Sequence, residues 1–331
     1  MSYFTRTVSC VVVAALTACQ PSPADAPPRS TSTASAAVPN TAPAGKFARG
    51  RAETLDIASW NIEWFGDPTN GPSNEPQQLR NAREVIASVD ADVWGLAEIV
   101  DESEFNQLKT QLPDYDGFLA NARLVSNRGS SYSATEQKVG ILFKRSVASL
   151  VRARVILQQN DRDFAGRPPL EVTLRVTLNG VTEEVICVVL HMKATADEAS
   201  WLRRSNASRA LKRYLDDTYP TQRVIVMGDW NDDVNRSISI GKPSPYQNFV
   251  DDATHYHFVT KSLDDRGVSS TTGHRSLIDH HLVTNELAAD EIPNSAEVIA
   301  GDRMIKDFRR TTSDHFPVLS HYAVPAGGTR R

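Results

Sequence analysis

The chain has 331 residues, of which 40% are hydrophobic and 23% charged, and its formal net charge is −4. That balance excludes wholesale disorder and a polytopic membrane protein, and it argues against nucleic-acid binding driven by bulk positive charge. Three cysteines cannot make a disulfide scaffold, although their positions carry information.

Residues 1–19, MSYFTRTVSCVVVAALTAC, place Arg6 ahead of an apolar run from Val8 to Ala18. A run of about 11 residues is too short for a hydrocarbon core, which takes roughly 20, and it fits the h-region of a secretory signal peptide. The ending Leu16-Thr17-Ala18-Cys19 resembles a bacterial lipobox. The resemblance implies that residues 1–18 are a lipoprotein signal peptide and that the Cys19 thiol is diacylated, anchoring the protein to a membrane. Gln20, where an aspartate would mark inner-membrane retention, favours the outer membrane. The alternative is a plain signal peptide cleaved nearby. Residues 20–50 are rich in Pro, Ala, Ser and Thr with almost no large apolar side chains, so 19–52 reads as a disordered tether. The expected location is the bacterial cell envelope, lipid-anchored, facing the periplasm or the surface.

From 53 to 324 the pattern mixes strands and helices without a linker, which predicts one catalytic domain followed by a short tail, 325–331. Leu55–Ile62 reads as a buried strand; Leu79, Ala82, Val85, Ile86 and Val89 fall at helical spacing, and Asp92–Ile99 is a second strand. Val139–Phe143, Glu171–Leu178 and Val185–Leu190 follow as strands, the last two joined by the hairpin signal Asn179-Gly180. Cys187 lies in this run as a buried, inert thiol. A helix over 199–217 is expected to turn Leu202, Ala210, Leu211, Tyr214 and Leu215 inward and Arg203, Arg204, Arg209, Lys212 and Arg213 outward. Val224–Met227, Leu277–Thr284 and Phe316–Tyr322 complete the strands. The predicted class is α+β: a four-layer α/β/β/α sandwich of two mixed, mostly antiparallel sheets with outer helices.

Polar residues interrupt the apolar strands at their ends. Asn61 and Glu63 end the first strand, Glu98 the next, and His191 ends Val185–Leu190. Asp229 and Asn231 follow Val224–Met227, Asp279 lies in SLIDHHLVT, and Asp314-His315 precede the last strand. Strands leaving the same end of a sandwich would bring these groups to one rim. Hard oxygen ligands without thiolates favour Mg²⁺, with Mn²⁺ or Ca²⁺ as alternatives, over structural zinc. A histidine beside an aspartate can serve as a general base. Together these parts suit metal-assisted attack of water on a phosphoester. A serine-nucleophile hydrolase is disfavoured, because no serine sits in a Gly-x-Ser-x-Gly elbow.

SWNIEW, the glutamate of GLAEI, GDWND, LIDHHLVT and SDHFPV stand in an order that resembles the endonuclease/exonuclease/phosphatase superfamily, from about Leu55 to Tyr322. The resemblance implies a metal held by Glu98, with Asn61 and Asp314 nearby. It implies that Asp229 and Asn231 position or activate water and contact the scissile phosphate, and that His315 is the catalytic histidine oriented by Asp279. His191 matches a phosphate-contacting histidine of the deoxyribonuclease branch, and Arg167 an arginine touching the substrate backbone there. Glu136 is the candidate carboxylate partner of His191. The cysteine pairs of pancreatic-type deoxyribonucleases, the arginine that follows Asp279 in inositol phosphatases, and the membrane-inserting aromatic hairpins of sphingomyelinases are not found. The expected activity is a metal-dependent phosphodiesterase, foremost a nuclease acting on DNA before RNA as a monomer. The alternatives are a phospholipid phosphodiesterase or phosphomonoesterase of the same superfamily, and an inactive binding module. Trp60, Trp64, Trp94 and Trp230 read as packing residues, and His255, His257, His274 and His281 as loop or surface residues. The basic helix face reads as solvated, or as a track for a nucleic-acid backbone.

Overall fold

The computed structural model describes residues 49–129 and 131–324. The segments expected to be a signal peptide and lipobox with Cys19, nearly all of the expected tether, and residues 325–331 lie outside the described residues. Among the described residues no helix is long and apolar enough to cross a membrane.

Among the described residues twelve strands form two six-stranded sheets. The first sheet holds β1 (Thr54–Phe65), β2 (Val93–Ile99), β3 (Tyr115–Leu119), β4 (Lys138–Lys144), β11 (Glu297–Val298) and β12 (Val318–Ala323), in the order β11-β12-β1-β2-β4-β3. The second holds β5 (Ala148–Val155), β6 (Leu170–Leu178), β7 (Val181–His191), β8 (Val224–Asp229), β9 (Tyr256–Phe258) and β10 (Asp279–Thr284), in the order β5-β6-β7-β8-β10-β9. Each sheet has one parallel pair at its centre, β1 with β2 and β7 with β8, and antiparallel neighbours on either side. A parallel pair needs a crossover, and helices supply it: α1 (Glu75–Val89) joins β1 to β2, and α3 (Glu198–Thr218) joins β7 to β8. A shorter α2 (Glu102–Thr110) follows β2. Asn74 caps α1 by accepting from Gln77 N at 3.0 Å, and Asp197 caps α3 by accepting from Ser200 N at 2.9 Å.

Alternation along the strands sorts side chains into layers. Ile57, Val93, Ile141, Val172, Cys187, Val189, Ile225 and Met227 meet between the sheets. Ala58, Trp60, Trp94 and Leu96 turn outward under Leu79, Val85 and Ile86 of α1, while Val188, Leu190 and Val226 lie under Leu211 and Leu215 of α3. The result is the α/β/β/α sandwich that the sequence predicts. Cys187 is buried, and desolvation pushes its thiol up to about 12, so it stays protonated. The hairpin at Asn179-Gly180 is present, with both residues at positive φ and β6 paired to β7 on either side.

The phase of α3 differs from the reading above. Its buried stripe runs Ser200, Arg204, Ala207, Ser208, Leu211, Leu215, so Leu202 falls on the opposite side and is exposed. Arg204, expected outside, is fully buried and bonds Asp232 at 2.8 Å. Arg203 donates to the Arg162 carbonyl at 2.9 Å, Arg209 to Asn206 Oδ1 at 2.5 Å, and Lys212 pairs with Asp216 and Asp252 at 2.9 and 2.7 Å, so four of the five cations of the supposed outer face are engaged within the chain. His281 also departs from expectation. It lies in the core between the sheets, with Ser320 Oγ 2.8 Å from its Nδ1 and Ser59 Oγ 3.0 Å from its Nε2, and burial holds its pKa down near 3.

Candidate active site

The carboxyl ends of the four central parallel strands open on one rim. Asn61 lies near the end of β1, Glu98 near that of β2, His191 ends β7 and Asp229 ends β8. Asp279 opens β10 directly opposite Asp229, because the two pair in the antiparallel register. Gly228 is required for that approach. It has φ +133, and a Cβ there would collide with the Leu190 carbonyl oxygen of β7.

The backbone is bent where the functional side chains leave it. Registers shift between Asn61 and Phe65 and between Leu96 and Ile99, and Glu98 (φ 62), Asn231 (φ 54), Trp64 (φ 52) and Glu63 (φ 23) all have positive φ. Each such non-glycine residue costs on the order of 1–3 kcal/mol and persists only where its surroundings hold it. For Glu98 the restraints are visible: Asn61 Nδ2 donates to Oε1 at 2.9 Å and Trp64 N to Oε2 at 3.0 Å. Trp64 thus contributes a backbone donor, while Trp60, Trp94 and Trp230 are fully buried packing residues.

The same Asn61 amide donates to Asp229 Oδ2 at 3.0 Å, and its Oδ1 accepts from Glu63 N at 3.0 Å. His191 Nε2 lies 3.6 Å from both Glu98 Oε1 and Asp229 Oδ2, so its carboxylate neighbours are these two. Glu136 is not its partner: that carboxylate sits 3.8 Å from Arg167 instead. Arg167 is no loop ornament. It is buried, donates to Gln137 Oε1 at 2.9 Å and to the Met192 carbonyl at 3.2 Å, and keeps a buried Nε without a partner among the described residues. Asn231 Nδ2 donates to the same Met192 carbonyl at 3.2 Å, and its backbone N to Asp229 Oδ1 at 2.8 Å.

On the other wall His315 Nδ1 meets Asp279 Oδ2 at 2.8 Å, and its Nε2 points toward Asp229 Oδ2, 3.8 Å away. That separation is too long for a direct hydrogen bond, and one oxygen lying off the line can contact both groups. Asp314 is half-exposed, 3.9 Å from His315 Nε2, and Glu63 is tied to Arg309 at 2.8 Å. Two supports escaped the sequence reading. Ser270 Oγ donates to Asp279 Oδ2 at 2.7 Å, and Ser313 Oγ donates to the Asn61 carbonyl at 2.7 Å while accepting from His315 N at 2.9 Å. Ser313 stands inside SDHFPV, so its position beside His315 was the signal available; Ser270 had none.

Electrostatics sort these groups. Burial raises Glu98, and it raises Asp229 to about 7 against the lowering effect of His315. Burial alone would lower His315, but the carboxylates of Asp279 and Asp229 outweigh it and hold the imidazolium well above 6.5. His191 goes the other way: desolvation, then the Arg167 and His315 charges, hold it neutral. Ligand atoms of Glu98, His191 and Asp229 lie within 4.8 Å of one another, as do those of Asp229, Asp279 and His315. Two desolvated carboxylates facing a neutral imidazole are a donor set that a divalent cation would satisfy, so the residues present fit one.

Buried carboxylates and paired imidazoles on the rim of a two-sheet sandwich are the equipment of a hydrolase that works on phosphoric esters with a metal ion. The chain belongs to the endonuclease/exonuclease/phosphatase family, whose sequence profile matches residues 58–315. By family it is a phosphoric ester hydrolase dependent on divalent metal. No curated protein matches the chain significantly. Solved structures share the fold at low identity. An endonuclease/exonuclease/phosphatase protein from Bacteroides vulgatus is 15% identical with a TM-score of 0.59, over 82% of this chain and 99% of that one. TDP2 of D. rerio, complexed with a single-strand DNA product, is 16% identical with a TM-score of 0.58, over 82% and 99%. A 3′ phosphatase from Neisseria bound to a product DNA hairpin is 17% identical with a TM-score of 0.57, over 82% and 100%.

Proposed function

We propose that the chain is a nuclease that hydrolyses phosphodiesters of nucleic acid, DNA before RNA, outside the cytoplasm, with Mg²⁺ as its ion. One observation carries the chemistry. Asp229 Oδ2 lies 3.0 Å from Asn61 Nδ2, 3.6 Å from His191 Nε2 and 3.8 Å from His315 Nε2, so a single buried oxygen faces the ion-holding, phosphate-holding and proton-accepting groups. DNA in complexes of the D. rerio and Neisseria proteins supports nucleic acid as the substrate class.

In this reading Glu98 and Asp229 hold the ion, with Asn61 fixing both carboxylates and Asp314 at the margin. A divalent ion bound there would polarise a phosphate oxygen and offset the charge developing on the leaving oxygen. His315, its Nδ1 held by Asp279, turns Nε2 toward the attacking water to take its proton. Asp229 and Asn231 orient that water and the phosphate, while neutral His191 and the Arg167 guanidinium bind phosphate oxygens. The full chain incubated with plasmid DNA, RNA, phosphatidylinositol and sphingomyelin tests this. The expected result is DNA cleavage with Mg²⁺ that stops under chelator and returns on adding the ion. Cleavage of lipid alone would move the protein to a phospholipid phosphodiesterase, and no cleavage under any metal would make it a binding module.

The location rests on residues 1–19: a monomer carried on a lipid at Cys19 and a tether, at the outer membrane. Labelled palmitate is expected to enter the wild-type chain and not the Cys19→Ala variant. Label that persists in the variant removes the anchor.

A further inference from the structure

Next to His315 the surface holds a cleft of about 420 Å³, walled by Thr271, Thr272, Phe308 and Phe316, with Arg309, Arg310, Asp302 and Asp307 at its edge. The cleft is built onto the backbone of the site. Thr271 pairs with His315 in an antiparallel bridge, Thr272 N donates to the Asp314 carbonyl at 2.8 Å, and Phe316 N donates to the Ser270 carbonyl at 2.7 Å. Behind it three aromatic rings form a column. The centroids of Trp60 and Phe308 are 6.2 Å apart at 18°, and those of Phe308 and Phe316 are 5.4 Å apart at 23°. Trp60 and Phe308 are buried and Phe316 is half-buried, so the column ends in the cleft. Trp60 Nε1 donates to the His315 carbonyl at 2.9 Å, which fixes the column relative to the imidazole.

A ring at the open end of a rigid stack offers its π face to another planar ring with little ordering cost of its own. The rim carries two arginines beside two aspartates, Asp302 and Asp307, so an available cation depends on how each arginine is paired. Arg309 is held by Glu63, whereas the Arg310 side chain is 80% exposed and, among the described residues, has Asp307 at 3.7 Å as its ion-pair partner. An aromatic platform beside an exposed cation matches a base and its neighbouring phosphate on a single strand.

We propose that this cleft seats the nucleobase adjoining the scissile phosphate, stacked on Phe316, with Arg310 reaching the next phosphate along the strand. The inference rests on the nuclease reading and names the feature that grips the strand. Every base has a π face, so the subsite recognises a base as such and not a sequence, and it selects strands or ends whose bases are unstacked.

The test compares a single-stranded oligonucleotide with one of equal length that carries abasic tetrahydrofuran residues around the cleavage position. KM is measured with Mg²⁺, and Kd by fluorescence anisotropy under chelator. The wild-type chain is expected to bind the base-bearing strand about tenfold or more tightly, the scale of one base–aromatic stack. Phe316→Leu, which keeps apolar volume without a π face, is expected to bring that preference close to unity, and Phe316→Trp to keep it. A preference retained in Phe316→Leu overturns the subsite while leaving the nuclease intact. Phe316-dependent binding without cleavage under any metal would instead keep the subsite and remove the nuclease. A wild-type chain that neither binds nor cuts either strand overturns both.

Discussion

His315→Ala is expected to lower phosphoester turnover by at least about a hundredfold, the lower end of what losing a positioned general base costs. The expectation comes from how the ring is held. Asp279 Oδ2 takes Nδ1 at 2.8 Å, so the tautomer that leaves Nε2 free to accept a proton is the one turned toward Asp229. Asp279 is itself held by Ser270 at 2.7 Å, and the His315 backbone by Ser313 at 2.9 Å. The same carboxylates set the pH profile. They keep His315 protonated well above 6.5, and only the neutral ring can accept a proton. Activity therefore rises as pH rises through that elevated pKa, and its acid limb lies above that of a free imidazole. Asp279→Asn removes one of the two carboxylates, so this limb moves to lower pH even as the rate falls. A merely structural Asp279 would lower the rate without moving the limb. Turnover of His315→Ala close to wild type, at any pH, would remove the mechanism.

Much of this site is legible in the sequence because each of its groups breaks an apolar strand at an end. Asn61, Glu98, His191, Asp229 and Asp279 sit on central strands whose hydrophobic runs stand out, and alignment of those strands is enough to gather them. The strands that escape notice have no such run. In β5, Leu150 and Val151 are exposed on an edge, so apolar residues there do not mark an inner face. The phase of α3 is hidden in the sequence for the converse reason. Its buried stripe is built from Ser200, Arg204, Ser205 and Ser208 as much as from leucines, and counting apolar residues puts Leu202 inside. Partner choices are the least legible layer. Glu136 turns to Arg167 and not to His191, and Ser270 reaches Asp279 from another loop; such choices follow from tertiary distances that spacing along the chain does not encode.

Breaking the buried Arg204–Asp232 pair is expected to cost about 3–5 kcal/mol of stability, because removing one partner leaves the other charge buried and uncompensated. Both side chains are wholly inaccessible, and they share a 2.8 Å contact. The pair also serves the site. Arg204 Nη1 donates to the Lys193 and Thr195 carbonyls at 2.7 and 2.8 Å, which fixes the chain just after His191. Asp232 accepts from Ser237 Oγ at 2.8 Å and from Ile238 N at 2.7 Å, which closes the loop just after Asn231. Arg204→Met and Asp232→Asn should each lower the urea midpoint strongly. A buried ion pair replaced on both sides by apolar residues is often neutral for stability. Arg204→Met with Asp232→Leu should accordingly regain part of the lost stability, less what the backbone groups left unpaired cost. It should not regain the rate, since the Lys193 and Thr195 carbonyls and the Ile238 amide stay without their partners, and His191 and Asn231 lose the clamp between them. A single-variant cost under about 1 kcal/mol, the worth of an exposed pair, would refute this account. A double variant that recovers stability and rate together would show that the pair stabilises the fold without positioning the phosphate-holding side chains.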